Sequence, residues 1–258
     1  MASADGLTRD GFLDGKVKLS QPAKGYRAGL DAVLLAASLA PPPTSQPIPR
    51  FFEVGCGAGA ALLCAASRLP DVRFTGMEKD PVMAALAQAN AADNGLSERV
   101  RVVQGDLAHP PLDLDYGRYD VVFVNPPFFD DPRSLRAPSD AKKAALITDR
   151  PFDQWARFMT RITRSGGYFY VIHRADRLKD LLISLDSRAG DIAVLPLHPH
   201  AGDPAKRVII RATKGSRAPT RYLQGLVLHD DGPDTHAAQV AAALRGENAL
   251  APLFDARP

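Results

Sequence analysis

The stretch Tyr119-Asp120-Val121-Val122-Phe123-Val124-Asn125-Pro126-Pro127-Phe128 constrains the fold more than any other part of this 258-residue chain. After Asp120 an apolar, mostly β-branched run stops at Asn-Pro-Pro. Such a run reads as a central strand buried on both faces, with a rigid turn at its carboxyl end. Two consecutive prolines fix φ and remove two backbone donors, so the carbonyls there have no strand to pair with. In an open α/β sheet, ligands bind just outside the carboxyl ends of the strands, where this turn would fall.

The residues of the turn suit one task. An exocyclic amine on a flat ring is a poor nucleophile, because its lone pair is delocalised into the ring. The Asn125 side chain and the Pro126 carbonyl can accept both amine hydrogens, while Phe128 offers a stacking face and Pro127 stiffens the corner. The same turn would also serve simply to end a strand, since Asn-Pro marks turns in general.

Upstream, Arg50-Phe51-Phe52-Glu53-Val54 leads into Gly55-Cys56-Gly57-Ala58-Gly59 and an Ala/Leu-rich helix over Ala60–Leu69. Strand, glycine-rich turn and helix in that order open a doubly wound nucleotide-binding sheet. The third glycine comes one residue too early for a dinucleotide fingerprint, and Glu53 precedes the first by two. A second strand ends on Glu78, placed to accept hydrogen bonds from ribose hydroxyls. A third ends on Asp106, placed to accept an adenine amine, with the Leu107 amide facing the ring. Glu53, Glu78, Asp106 and Asn125 thus lie at or near the carboxyl ends of successive predicted strands.

The other elements complete an α/β, Rossmann-like doubly wound sheet of seven strands with an antiparallel last strand. A hairpin is predicted around residues 11–19, then a glycine-punctuated loop in which Asp31 caps a helix over Ala32–Ala40. Residues 129–149, with Arg133, Arg136, Lys142 and Lys143, read as a loop over the site. Phe152–Arg164 and Arg174–Ala189 read as helices, Tyr168–His173, Ile192–Leu197 and Ala205–Ala212 as strands five to seven. The short connection between the last two forces antiparallel pairing. Leu223–Leu228 and Thr235–Leu244 give a terminal strand and helix. The expected layout is residues 1–49 as a hairpin, loop and helix over the cofactor, 50–215 as the core and 216–258 as an extension.

Charge is uneven. Residues 1–130 carry 12 Lys/Arg against 15 Asp/Glu, whereas 131–221 carry 18 against 9, a balance of +9. Scattered charges of this kind make a solvated basic surface; the sharper reading of the asymmetry is a polyanion-facing half beside a nearly neutral catalytic half. No run is long and apolar enough to span a bilayer and no signal-peptide pattern opens the chain, so no membrane association is expected. The two cysteines, Cys56 and Cys64, fall in a turn and its helix; a reducing cytoplasm fits. His198, His200 and Asp203 match no common metal-site spacing, and no metal is expected. Trp155, with Phe152 and Phe158, falls at helical core spacing.

Taken together these features resemble the class I methyltransferases that use S-adenosyl-L-methionine. More narrowly, Gly25-Tyr26-Arg27-Ala28-Gly29-Leu30-Asp31, Asn125-Pro126-Pro127-Phe128-Phe129 and Pro204-Ala205-Lys206-Arg207-Val208 resemble the bacterial tRNA-valine adenine-N6 methyltransferases over about residues 10–230. The resemblance implies that Gly55, Gly57 and Gly59 line the methionine part of the cofactor, with Glu53 near its amine. Glu78 would hold the ribose, Asp106 the adenine, and Tyr26, Gly29 and Asp31 would close over the methionine end. Asn125, Pro126, Pro127 and Phe128 would form the catalytic corner that grips the target, Asn125 also bordering the cofactor, with Lys142, Lys143, Lys206 and Arg207 against RNA, most simply a tRNA. The same turn also serves glutamine-amide and guanine-N2 methyltransferases, and an RNA-binding module that has lost catalysis is the non-enzymatic alternative.

Overall fold

In the computed structural model, which describes residues 6–25, 27–127, 152–230, 235–247 and 250–255, the run Tyr119–Val124 is a strand buried along its whole length. Chain order gives β1 (Leu7–Phe12), β2 (Val17–Pro22), α1 (Leu30–Ser38), β3 (Arg50–Val54), α2 (Ala60–Arg68), β4 (Arg73–Glu78), α3 (Pro81–Asp93), β5 (Val100–Gln104) and β6 (Tyr119–Val124). There follow α4 (Phe152–Ile162), β7 (Thr163–Arg174), α5 (Leu178–Leu185), β8 (Ala189–His198), β9 (Arg207–Lys214), β10 (Arg221–Tyr222), β11 (Leu226–Val227) and α6 (Ala238–Leu244). The main sheet runs β8-β9-β7-β6-β3-β4-β5. β9 is antiparallel to both its neighbours, and the pairs from β7 through β5 are parallel.

Alternation along the central strands sorts the core into two layers. Phe51, Val121, Phe123, Tyr170 and Ile172 face one cluster with α1, α2 and the hairpin. Phe52, Val54, Val122, Val124 and Val171 face the other, with α4 and α5. Each fully buried Phe or Val contributes roughly 1.5–3 kcal/mol, which fixes the register because a one-residue slip would exchange the two faces. The first cluster draws on Leu13, Val17 and Leu19 near the start and on Val240, Leu250 and Phe254 near the end.

Asp120 opens the central strand and is fully buried. Its oxygens accept from the Arg50 amide at 2.9 Å and from Arg164 Nε at 2.6 Å, tying the starts of β3, β6 and β7 together.

The seven expected strands are present, and β10 and β11 add short parallel pairings beside β8. Several local expectations are corrected. Asp31 does not cap α1: the helix begins at Leu30 with Gly29 as N-cap, and the Asp31 carboxylate pairs with Arg207 instead. β7 begins at Thr163 because Thr163 pairs with Tyr119 ahead of a register shift. Gly167 permits this: a Cβ there would lie 2.8 Å from the Asp120 carbonyl oxygen. The segment after β7 forms a 3-10 turn, Ala175–Arg177, and a shorter helix. The terminal helix starts at Ala238. Tyr26, Phe128 and the predicted loop with Arg133, Arg136, Lys142 and Lys143 lie outside the described residues.

Candidate active site

The bend after β3 is built by backbone geometry. Gly55, Gly57 and Gly59 have φ of +68°, +55° and +93°, a region that side chains disfavour. The Gly55 and Cys56 amides both donate to the Met77 carbonyl, at 2.7 and 3.0 Å, which pins the bend to β4. Glu78, ending β4, accepts from the Gly57 amide at 2.9 Å through Oε2 and from the Asp80 amide at 3.0 Å through Oε1. Asp80 in turn caps α3, as its position before Pro81 predicts.

Glu53, Gly55, Gly57 and Asn125 line one cleft of about 70 Å³, to which Gln21 and Pro22 of the hairpin also contribute. Glu53 is 3% exposed, and its Oε2 has no hydrogen-bond partner among the described residues. Burial holds its carboxyl well above the usual carboxylate range, and the Glu78 charge pushes the same way. A cationic group entering this cleft would therefore meet a carboxylate ready to ionise against it. Burial likewise pushes the Cys64 thiol up to about 12, as suits a packing residue.

Asp106 follows β5 by two residues, and its Oδ1 accepts from the Ala108 amide at 3.1 Å. That bond shapes the turn over Leu107, which packs against the second cluster. Gly59 caps α2 and Gly29 caps α1; neither lines the cleft. Lys206 is exposed, and Arg207 Nε lies 3.0 Å from Asp31 Oδ2, so two residues given separate roles by their sequence contexts form an ion pair.

Three contributors escaped the sequence reading. Asn90 of α3 is 1% exposed and bridges the Ser20 backbone to the Ala58 carbonyl. Gln21 holds Asp10 and accepts from the Ala28 amide at 2.9 Å, fastening the loop that leads to α1. Trp155, expected as core, also backs the glycine bend: a Cβ on Gly55 would lie 3.2 Å from its Cη2. The signals available were two asparagines four apart in an Ala-rich helix and a single tryptophan at the start of α4.

A larger hollow of about 500 Å³ opens at the opposite ends of the strands, among Arg50, Arg73, Arg101 and Tyr119. It contains none of the convergent polar groups just described. The smaller cleft lies at the carboxyl ends, where open α/β sheets bind ligands.

A methyltransferase-domain family model matches residues 51–144. The chain is 31% identical over 199 residues to a tRNA1(Val) (adenine(37)-N6)-methyltransferase of Porphyromonas gingivalis, covering 74% of this chain and 77% of that one. A Yersinia enterocolitica protein of the same name is 35% identical over 148 residues, 57% of this chain and 56% of its own. Among solved structures, a protein of Agrobacterium tumefaciens described as a predicted O-methyltransferase superposes with a TM-score of 0.70 at 27% identity, over 85% of this chain and 97% of that one. The sheet order, with its antiparallel β9, and the glycine bend after β3 are those of a class I methyltransferase fold. The chain belongs to the S-adenosylmethionine-dependent class I methyltransferases, in the sequence family of its Porphyromonas relative. Among the described residues, no helix is long and apolar enough to cross a membrane.

Proposed function

We propose that this methyltransferase acts on the exocyclic amine of a nucleobase, adenine N6 in a tRNA. The observation that carries the reading is Asn125 lining the same cleft as Glu53, Gly55 and Gly57, with the Pro126-Pro127 corner directly after it. The fit to the cofactor rests on Glu53 and the glycine bend in the cleft and on Glu78, which lies behind the bend and bonds the Gly57 amide. Glu53 offers a buried carboxylate oxygen to an ammonium group, the glycine bend lets backbone approach closely, and Glu78 ends the strand where ribose hydroxyls would lie. S-adenosylmethionine, when bound, supplies a methyl group already activated on a sulfonium, so no metal or covalent enzyme intermediate is needed.

The protein's part is alignment, worth up to about 7–11 kcal/mol in well-oriented systems. Asn125 and the Pro126 carbonyl accept the amine hydrogens, and the stacking role falls to Phe128 on its place in the sequence motif alone. Asn125 does not titrate in the working range, so it positions the amine and does not act as a base; the nitrogen–methyl bond forms as the sulfur–methyl bond breaks, and the surplus proton on the methylated amine leaves to water. A paired base must leave its stack to reach such a corner, which is easiest in a loop.

The tRNA reading is supported by the relatives' names and by the +9 balance of residues 131–221. A second reading, methylation of a glutamine side chain on a protein, is favoured by a release factor glutamine methyltransferase of Chlorobaculum tepidum, 26% identical over 57% of this chain and 53% of that one. The basic half favours RNA over it. The deciding experiment is labelled-methyl transfer into total RNA and, separately, total protein from a strain lacking this gene, followed by nucleoside and amino-acid analysis. Label in N6-methyladenosine is expected. Label in N2-methylguanosine or only in protein overturns the reading, and so does the absence of any label in RNA.

A further inference from the structure

Three strands reach the catalytic edge side by side. β6 delivers Asn125, β7 ends on Arg174 and β9 begins on Arg207. Val124 is in register with Val171, and Arg174 lies directly opposite Arg207 across the antiparallel ladder. Like charges placed opposite each other on a sheet repel. Here each guanidinium is held by its own carboxylate: Arg174 Nε donates to Asp176 Oδ1 at 3.0 Å, and Arg207 Nε to Asp31 Oδ2 at 3.0 Å.

Alternation fixes which way these groups face. Arg174 shares a face with Tyr170 and Ile172, Arg207 shares one with Ile209, and Asn125 shares one with Phe123. All four of those apolar residues belong to the cluster under α1 and α2, so both arginines and Asn125 face the same side of the sheet. Neighbouring strands are about 4.8 Å apart, which sets the two arginine backbones about 5 and about 10 Å to the side of β6. In a nucleotide turned out of its stack, the phosphate lies across the ribose from the base, a separation of the same order.

Building on the nucleobase reading, we propose that Arg174 and Arg207 clamp the phosphodiester beside the target nucleotide, with Asp176 and Asp31 holding the two guanidinium forks in place until the backbone arrives. Guanidinium matches phosphate in a two-pronged geometry that an ammonium cannot copy. Both ion pairs are partly open to water, with side-chain exposures of 28% and 54% for Arg174 and Asp176 and 31% and 24% for Arg207 and Asp31. The Arg174–Asp176 pair, with its carboxylate more than half exposed, contributes little to stability, so exchanging that carboxylate for phosphate is nearly balanced; the half-buried Arg207–Asp31 pair still leaves its guanidinium partly open to an incoming phosphate. The clamp also accounts for a like-charged pair at a sheet edge where one neutral residue would be easier to fold.

The test uses a full-length valine tRNA, the RNA in the names of the relatives, assembled by ligation, with either natural linkages or one uncharged methylphosphonate beside adenine 37, the nucleotide in those names. Arg174→Ala and Arg207→Ala are each expected to raise KM for natural tRNA about tenfold to a hundredfold, the scale of a lost charge-assisted hydrogen bond. The uncharged linkage should raise KM equally in the unaltered protein and add nothing in the double variant, while Arg→Lys at either position recovers only part of the loss. If the effects of linkage and double variant multiply, the arginines do not hold that phosphate and the clamp is overturned. A fall in thermal stability with KM unchanged makes them struts and overturns it too. Transfer to no RNA by the unaltered protein overturns the nucleobase reading itself, an outcome separable from loss of the clamp alone.

Discussion

Asn90 grips Ser20 by both of its backbone groups: Oδ1 accepts from the Ser20 amide at 2.9 Å and Nδ2 donates to the Ser20 carbonyl at 2.8 Å. The same Nδ2 donates to the Ala58 carbonyl at 2.9 Å, so one amide joins the hairpin to the glycine bend. One turn along α3, Asn94 brackets Lys18 in the same way, at 2.8 and 2.7 Å. The two asparagines substitute for a neighbouring strand along the edge of β2 and hold the hairpin over the cleft.

Asn90→Ala should therefore destabilise the protein by about 1–3 kcal/mol, because it strands buried backbone groups that water does not replace. Asn94 bonds at an exposed edge, and Asn94→Ala should cost about 1 kcal/mol or less. Urea denaturation of both variants, alongside calorimetric titration with S-adenosylmethionine, checks this. Cofactor affinity should fall in Asn90→Ala well beyond any fall in Asn94→Ala. Equal losses from the two changes would remove the special role of the link to Ala58.

Glu53 makes the cofactor-free protein pH-sensitive in a defined sense. Its folded carboxyl titrates well above the usual 4.5, through burial first and the Glu78 charge second. Above pH 4.5 the unfolded chain has released a proton that the folded protein keeps, so stability falls as pH rises from there through the folded value. Below 4.5 this contribution is fully present. No Lys or Arg is among the described residues lining the cleft, so nothing described there offsets it. Glu53→Gln should flatten the slope of unfolding free energy against pH while weakening cofactor binding. Binding measured in buffers of different ionisation enthalpy should show proton release that vanishes in the variant. A release of the same size in Glu53→Gln would assign the proton to another group.

Strand ends were legible because each is a local pattern: an apolar run, then Glu53, Glu78, Asp106 or Asn125. The antiparallel β9 was legible because the connection from β8 is too short to cross over. What was lost is non-local. Asp31 has the local profile of a helix cap, yet its carboxylate is claimed by Arg207, 176 residues away. Asn90 reaches a backbone 70 residues upstream, and side-chain bonds to backbone leave no pattern at the receiving residue. Thr163 joins β7 because it pairs with Tyr119, which helix periodicity in the preceding segment conceals.

Trp155 is the chain's single tryptophan and lies against Gly55, which makes it a built-in reporter of the bend. Cofactor binding should change its emission in a saturable way. Gly55→Ala adds a Cβ 3.2 Å from Trp155 Cη2 at a residue with φ of +68°. The left-handed backbone alone costs about 1–2 kcal/mol with a side chain present. The variant should lose that much stability and bind the cofactor more weakly, with the emission change shifted to higher concentration. An unshifted titration would mean that the bend tolerates a side chain and that ligand does not approach it closely.

Asn125 separates binding from turnover. It lines the cleft beside the glycine bend but is not part of it, and the amine hydrogens it would accept belong to the substrate. Removing one preorganised hydrogen-bonding group typically costs a factor of about 10²–10³ in kcat. Asn125→Ala should lose at least that much turnover on RNA while its affinity for S-adenosylmethionine changes only a few-fold. Asn125→Asp keeps an acceptor but adds a charge close to buried Glu53, so it should weaken turnover through an unfavourable cleft rather than through a missing acceptor. The two failures differ in pH dependence: the Asp variant should recover activity as acid protonates the pair, and the Ala variant should not. Parallel loss of cofactor binding and turnover in Asn125→Ala would return the Asn-Pro-Pro corner to the plain business of ending a strand.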